Sequence, residues 1–173
     1  MKKILALALA ALCLMSLAAC NGGDGTVVTS STIATTIIAK PENSFYFSFH
    51  NQDLLPGADF PGDWLPAPLF VQDTPETVNG GATKRYDYGE LVIVTYQGSN
   101  HEIIYQIILD PEKGATLPTA EGLRFDDSMD EAEAIYGTCA EKDGSIWTYR
   151  KGNSLLILHF ENDLVSHIEY KQA

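Results

Sequence analysis

The chain has 173 residues, with 11 Lys plus Arg against 23 Asp plus Glu and a formal net charge of −12. A surface of that sign repels phosphate backbones, which excludes nucleic acid as a partner, and it repels anionic headgroups, which keeps the body off a lipid surface. The length is that of one ordinary domain with room for a leader, and three cysteines are too few for a disulfide framework.

The chain opens on Lys2 and Lys3, an apolar stretch over residues 4–17 broken only by Ser16, then Ala18, Ala19 and Cys20. This is the layout of a secretory signal over 1–19, too short for a membrane span of about 20 apolar residues. Its ending, Leu17-Ala18-Ala19-Cys20, resembles the bacterial lipobox. The resemblance implies that the Cys20 thiol is lipidated, that palmitate and diacylglyceryl chains follow, and that cleavage leaves Cys20 as the N-terminus. Two or more acyl chains anchor durably, so the implied place is the extracytoplasmic face of the cell membrane. Losing 1–19 takes Lys plus Arg from 11 to 9 against 23 acids, a net charge of −14. Cys13 would leave with the signal, so Cys139 would have no thiol partner. It is either a small core hydrophobe or a reactive thiol, and no His or Asn/Asp constellation points to the second.

Residues 20–44, glycine-rich and then threonine-rich up to Pro41, read as a flexible tether, although the Thr/Val/Ile run is β-prone enough to add an edge strand. The body then divides into two copies, 45–110 and 111–173. In the second, Ser128 and Glu131 have capping-box spacing, and Gly137 sits at the C-cap. They predict a helix from Met129 to Tyr136 that buries Met129, Ala132 and either Ile135 or Tyr136. "SIWTYR", "SLLILHF" and "LVSHIEY" follow as strands. In the first copy "PGADFPGDWLPAP" takes the helix place, and "KRYDYG", "LVIVTY" and "EIIYQIIL" are the strands. Tyr86 and Tyr88 align with Trp147 and Tyr149, and Val92, Val94 and Tyr96 with Leu156, Leu158 and Phe160. The expected fold class is α+β: two tandem helix–β–β–β units forming one antiparallel sheet with short helices on one face.

The order of capped acidic helix, Tyr-Gly, aromatic-x-Tyr strand and a hairpin ending Ile-x-Tyr resembles the β-lactamase-inhibitor-protein-like fold. Small outer-membrane lipoproteins of the SmpA/OmlA type share that fold. The layout is also similar to lipoproteins of Firmicutes with a lipobox, polar tether and tandem units. The resemblance covers about residues 45–170 and implies fold, not a site. The family's Leu-Gly-x-Pro helix end is replaced by Leu65-Pro66-Ala67-Pro68, and Pro61 falls inside the first helix, which shortens it towards a single turn. No inhibitory loop matches residue by residue.

No nucleophile elbow, P-loop or dinucleotide fingerprint is present. Asp126 and Asp127 sit where carboxylates favour a helix start. "DDSMDE" lacks the alternating ligands and central glycine of a calcium loop. No cofactor is implied. In the last hairpin, a core face of Leu156, Leu158, Phe160, Ile168 and Tyr170 needs an even register sum across the pair. A two-residue Asn162–Asp163 turn gives an odd one, so a three-residue loop from Asn162 to Leu164 is expected. That register sets His159 opposite His167 on the outer face, as a solvated polar pair or as two-thirds of a metal site lacking its third ligand.

Tyr86, Tyr88, Trp147 and Tyr149 share one face of their strands. They form either a flat binding surface or bulky core filler. Three functions remain: a non-catalytic module that binds a protein, ligand or cell-wall component; an assembly or structural part of an envelope complex; and an enzyme, for which no constellation is offered. The body is expected to be a monomer needing no metal or disulfide.

Overall fold

Proline and paired small turns decide where regular structure forms. The computed structural model describes residues 43–173; the predicted signal, Cys20 and nearly all of the tether lie outside the described residues. Strands β1 (Phe47–Phe49) and β2 (Gln52–Leu54) form a short ribbon, and a single 3-10 turn follows at Gly62–Trp64. Then come β3 (Phe70–Val78), β4 (Gly81–Asp87), β5 (Leu91–Gln97) and β6 (Glu102–Leu109). After α1 (Met129–Tyr136) the chain runs through β7 (Glu141–Asp143), β8 (Ile146–Lys151), β9 (Ser154–Glu161) and β10 (Leu164–Gln172). The last eight strands make one antiparallel sheet in the order β3-β4-β5-β6-β10-β9-β8-β7.

The expectation of an α+β fold built from two helix–β–β–β units is thereby overturned. The protein is mostly β, and each half of the sheet is a meander of four strands. Pro61, Pro66 and Pro68 leave the first half only its 3-10 turn, because proline lacks the N–H a helix needs and clashes with the preceding turn. The first strand of each meander escapes a pattern-based reading for different reasons. β3 lacks clean alternation, carries Pro75 and slips register between Thr74 and Thr77; β7 has three residues.

The two meanders meet at β6 and β10, where Ile107 pairs with Tyr170. A row of partners runs from there across six strands: Tyr86, Ile93, Ile107, Tyr170, Leu156, Tyr149. The two arms of this row are related by a constant step along the chain, so Tyr86 corresponds to Tyr149 and Ile93 to Leu156. The sequence alignment of Tyr86 with Trp147, and of Val92 with Leu156, is therefore out of register. Leu91 and Ile93 face the core, and the row Asp87, Val92, Ile108, Glu169, Ile157, Thr148 lies on the opposite face.

The inner face is covered from three directions. Phe45, Phe47, Phe49 and Leu54 of the N-terminal ribbon lie over its centre, nearly inaccessible to solvent. Phe45 is fastened by its N–H donating to Ser154 Oγ at 2.7 Å, and the Phe47 ring sits 5.9 Å from that of Tyr170. Helix α1 covers the β8–β9 end through Ala132. Met129 and Tyr136 are half-buried beside the core, whereas Ile135 points outward. The capping box is closed: Ser128 Oγ accepts from Glu131 N–H at 3.3 Å, and the Glu131 carboxylate accepts from Ser128 N–H at 2.8 Å. Residues 57–60 cover the β5–β6 end. β10 stops pairing at Gln106, so the start of β6 accepts Gly57 N–H and Phe60 N–H instead. Cys139 packs half-buried against the core.

The last hairpin reaches the expected faces by another route. Its turn is the two-residue Asn162–Asp163, with both φ angles positive (53° and 66°), the conformation favoured between twisted strands. Leu164 pairs with Glu161 and Val165 with Phe160, after which Ser166 bulges and His167 pairs with His159. The bulge, not a longer loop, converts the odd register to the even one. Leu156, Leu158, Ile168 and Tyr170 are fully buried. Leu158→Ala is expected to cost about 2–5 kcal/mol of unfolding free energy, while His159→Ala, on the outer face, costs within about 1 kcal/mol. Deleting Ser166 turns His167 and Glu169 inward and should abolish cooperative unfolding. Ser166→Ala, which forfeits only the hydroxyl's bond to the His159 carbonyl, should cost about 0.5–1.5 kcal/mol. Denaturant titrations of these variants check the register; a harmless deletion contradicts it.

Candidate functional site: an aromatic cleft at the β3 edge

The inner layer thins towards β3. There the proline-rich crossing from Phe60 to Leu69 leaves a cleft of about 390 Å³ lined by Phe60, Gly62, Asp63, Pro68, Tyr86, Tyr88 and Glu102. The side chains arrive from three elements. Tyr86 is on the inner face of β4, opposite Ile93. Tyr88 follows β4, its ring 5.6 Å edge-on from that of Phe49. Phe60 is held over β4 by its N–H bond to the Glu102 carbonyl at 2.8 Å, which brings its ring to 4.5 Å from that of Tyr86.

Glu102 forms the polar floor. Its Oε1 accepts from Lys84 Nζ at 2.7 Å, and its Oε2 accepts from the Tyr86 hydroxyl at 2.7 Å and from Thr95 Oγ1 at 3.0 Å. Burial alone would raise this carboxyl's pKa, but the three donors and the Lys84 charge outweigh it and hold the group below its ordinary range. The same hydrogen bond and charge hold Lys84 above its ordinary value. Tyr86 is driven far up by burial and then by Glu102, and burial pushes Tyr88 up to about 12. These four groups keep their charge states through neutral pH, and both carboxylate oxygens are already engaged. The cleft offers aromatic walls, not a poised acid or base.

Its rim is unusually apolar. Trp64 is 72 % exposed, Leu69 75 % and Val71 47 %, while Phe70, 57 % exposed, pairs with Asp87 and projects from the other face of the sheet. Three large apolar side chains left in water within eight residues are a marker of an interaction surface. None was singled out in the sequence, where "PGADFPGDWLPAP" takes the helix place and Leu69, Phe70 and Val71 fall in no element; the available signal was an apolar run too proline-rich to be core.

The four aromatic residues proposed from sequence as one surface are divided by the structure. All lie on or beside the inner face. Trp147 and Tyr149 are only 7 % and 3 % exposed. Trp147 packs 4.9 Å from Phe160 with Lys142 Nζ 3.7 Å above its ring, and Tyr149 lies 5.2 Å from Tyr136. These two are core and form no flat binding face with the others. Tyr86 and Tyr88, half-buried, face the cleft.

His159 and His167 do meet on the outer face, their rings 4.6 Å apart, and His167 Nε2 lies 3.6 Å from Glu169. Burial first, then the neighbouring His167, lowers the His159 pKa against a smaller opposing pull from Glu169. Among the described residues no group of three His, Cys, Asp or Glu side chains is placed to hold a metal ion. No family model, curated protein or solved structure matches the chain.

The Glu102 cluster has a signed pH dependence. A carboxyl whose folded pKa lies below its unfolded value, about 4.3, stabilises the fold above that value and loses the contribution as pH falls through the folded pKa. Between pH 5 and pH 3 the denaturation midpoint of the parent should therefore fall more steeply than that of Glu102→Gln. Parallel slopes would show that Glu102 carries no such linkage.

Proposed function

We propose that this protein is a lipid-anchored extracytoplasmic module that binds a protein partner through the aromatic cleft and apolar rim at the β3 edge, without catalysis. The observation that carries this reading is the rim itself: Trp64, Leu69 and Val71 stand in water around a cleft walled by Phe60, Tyr86 and Tyr88. Burying such side chains is worth roughly 1.5–3 kcal/mol each, and aromatic anchors around a pocket dominate protein interfaces. The saturated hydrogen bonding of Glu102 supports recognition rather than proton transfer. The leader pattern ending Leu17-Ala18-Ala19-Cys20 supports the anchored, outward-facing placement, which sets the acidic body beside other envelope components.

Two measurements test this. Full-length protein used as bait in detergent-solubilised envelope should retain a discrete protein that Trp64→Ser/Leu69→Ser fails to retain, with unfolding midpoints within about 1 kcal/mol of each other because both side chains are exposed. Equal retention would remove the cleft from consideration. In cells fed labelled fatty acid, the parent should take up label and Cys20→Ser should not; a labelled, detergent-partitioning Cys20→Ser would refute the anchor.

A further inference from the structure

Among the described residues the outer face of the sheet is uncovered. Two neighbouring rows on it, two residues apart along each strand, are sorted by charge. The row through Asp87, Glu169 and Glu141 carries no base, and the row through Arg85, Lys171 and Arg150 carries no acid. Strand by strand the rows are matched: Asp87 lies two residues from Arg85 on β4, and Glu169 two from Lys171 on β10. On β5 and β9 both positions are apolar, Val92 with Val94 and Ile157 with Leu155. The three acids and three bases cancel, in a chain whose net charge is −12. None of the three bases is ion-paired among the described residues, and Phe70 stands exposed at the β3 end of the first row.

We propose that this face pairs with the same face of a second copy, as a two-fold dimer whose axis runs along the rows, across the strands. Such an axis lays each row on the other row of the partner. Asp87 then meets the partner's Arg85 and Glu169 the partner's Lys171, while Val92 meets the partner's Val94 and Ile157 the partner's Leu155. An axis parallel to the strands would lay acids on acids, so charge selects the first. Sheets packed face to face keep their strands within about 30° of each other, which an axis across the strands satisfies. Two acidic bodies repel, but beyond about 10 Å that repulsion is largely screened at about 0.1 M salt, and the contact itself is neutral. The same axis holds both chain starts level. The Asn43 carbonyl lies against Gly152 in the β8–β9 turn, and the two turns sit at one height along the axis. Two chains tethered to one membrane are therefore free to pair this way, at an effective concentration that makes a weak contact sufficient. Only this membrane point rests on the anchored placement proposed above. The cleft lies on the inner face and is untouched by the pairing.

Sedimentation equilibrium of the full-length chain in detergent, with micelles in large excess over protein, tests the pairing. The parent should form dimers. Arg85→Glu/Lys171→Glu, which sets like charges opposite Asp87 and Glu169, should raise the dissociation constant at least about tenfold. Arg85→Lys/Lys171→Arg, which keeps the charges, should change it less than about threefold. A monomeric parent, or a charge-reversed variant that dimerises as tightly as the parent, overturns the dimer. A second measurement needs no change of charge. Ile157→benzoylphenylalanine, irradiated in the envelope, should give a product of twice the mass, cross-linked near the partner's Leu155. Absence of that product, or cross-links instead to residues 1–42 of the same chain or to a different protein, also overturns the dimer, because the face then has another occupant or none. Sedimentation in detergent needs neither acylation nor an occupied cleft, so its failure is distinct from failure of the Cys20 labelling or of the bait experiment.

Discussion

The pairing of β6 with β10 is the contact on which the rest of the molecule depends. Only three residue pairs carry it, Ile108 with Glu169, Ile107 with Tyr170 and Gln106 with Lys171. They turn two four-stranded meanders into one sheet, and they set Ile107 and Tyr170 side by side, both fully buried, at the middle of the inner face. A four-stranded meander has too little inner surface to exclude water alone. Joined, the two present a row six strands wide, on which Phe45, Phe47 and Phe49 can lie. Because β10 ends soon after the join, the start of β6 is left to pair with residues 57–60, and this pairing carries Phe60 over Tyr86. The cleft is thus a consequence of where the join stops.

Among the described residues one face of the sheet is covered and the other is not. The outer row carries Asp87, Glu169 and Thr148 between Val92, Ile108 and Ile157, and it is this mixture that lets a single-layer face stay solvated without a second layer of helices. The covered face has the opposite problem. Its cover is irregular chain and one helix of eight residues, which suffices over the centre and the β8–β9 end but not over β4. The acidic balance, −12 over the chain, keeps such a body soluble despite the apolar rim.

Individual elements were legible in the sequence, but the α+β architecture expected from them was not the one observed. Helix α1 was marked at both ends by Ser128 with Glu131 and by Gly137, since capping is local chemistry written in a few side chains. Strands β4–β6 and β8–β10 were legible because alternation and apolar runs report burial directly. What local pattern did not show was how the strands associate. The alignment of the two halves on their aromatic residues, Tyr86 with Trp147, missed the correspondence that the β6–β10 pairing imposes. β3 was hidden by Pro75, which argues against a strand until its place at the edge is known. The hairpin is the subtler case: its faces followed from burial, but the extra residue entered at Ser166 instead of the turn, and both placements satisfy the same count. The site was least legible. Trp147 and Tyr149 look like a surface in alternation and are core, whereas Trp64, inside the stretch read as a first helix, and Leu69 and Val71, assigned to no element, are the exposed rim.

Native-state hydrogen exchange on the full-length chain tests most directly whether the join makes one body of the two meanders. Slowly exchanging amides of β5, β6, β9 and β10 should share a single highest opening free energy equal to that of global unfolding, with the same denaturant dependence. Two distinct opening energies, one for β4–β6 and another for β8–β10, would mean that the meanders fold separately and that the β6–β10 pairing is a contact between them rather than the centre of one core.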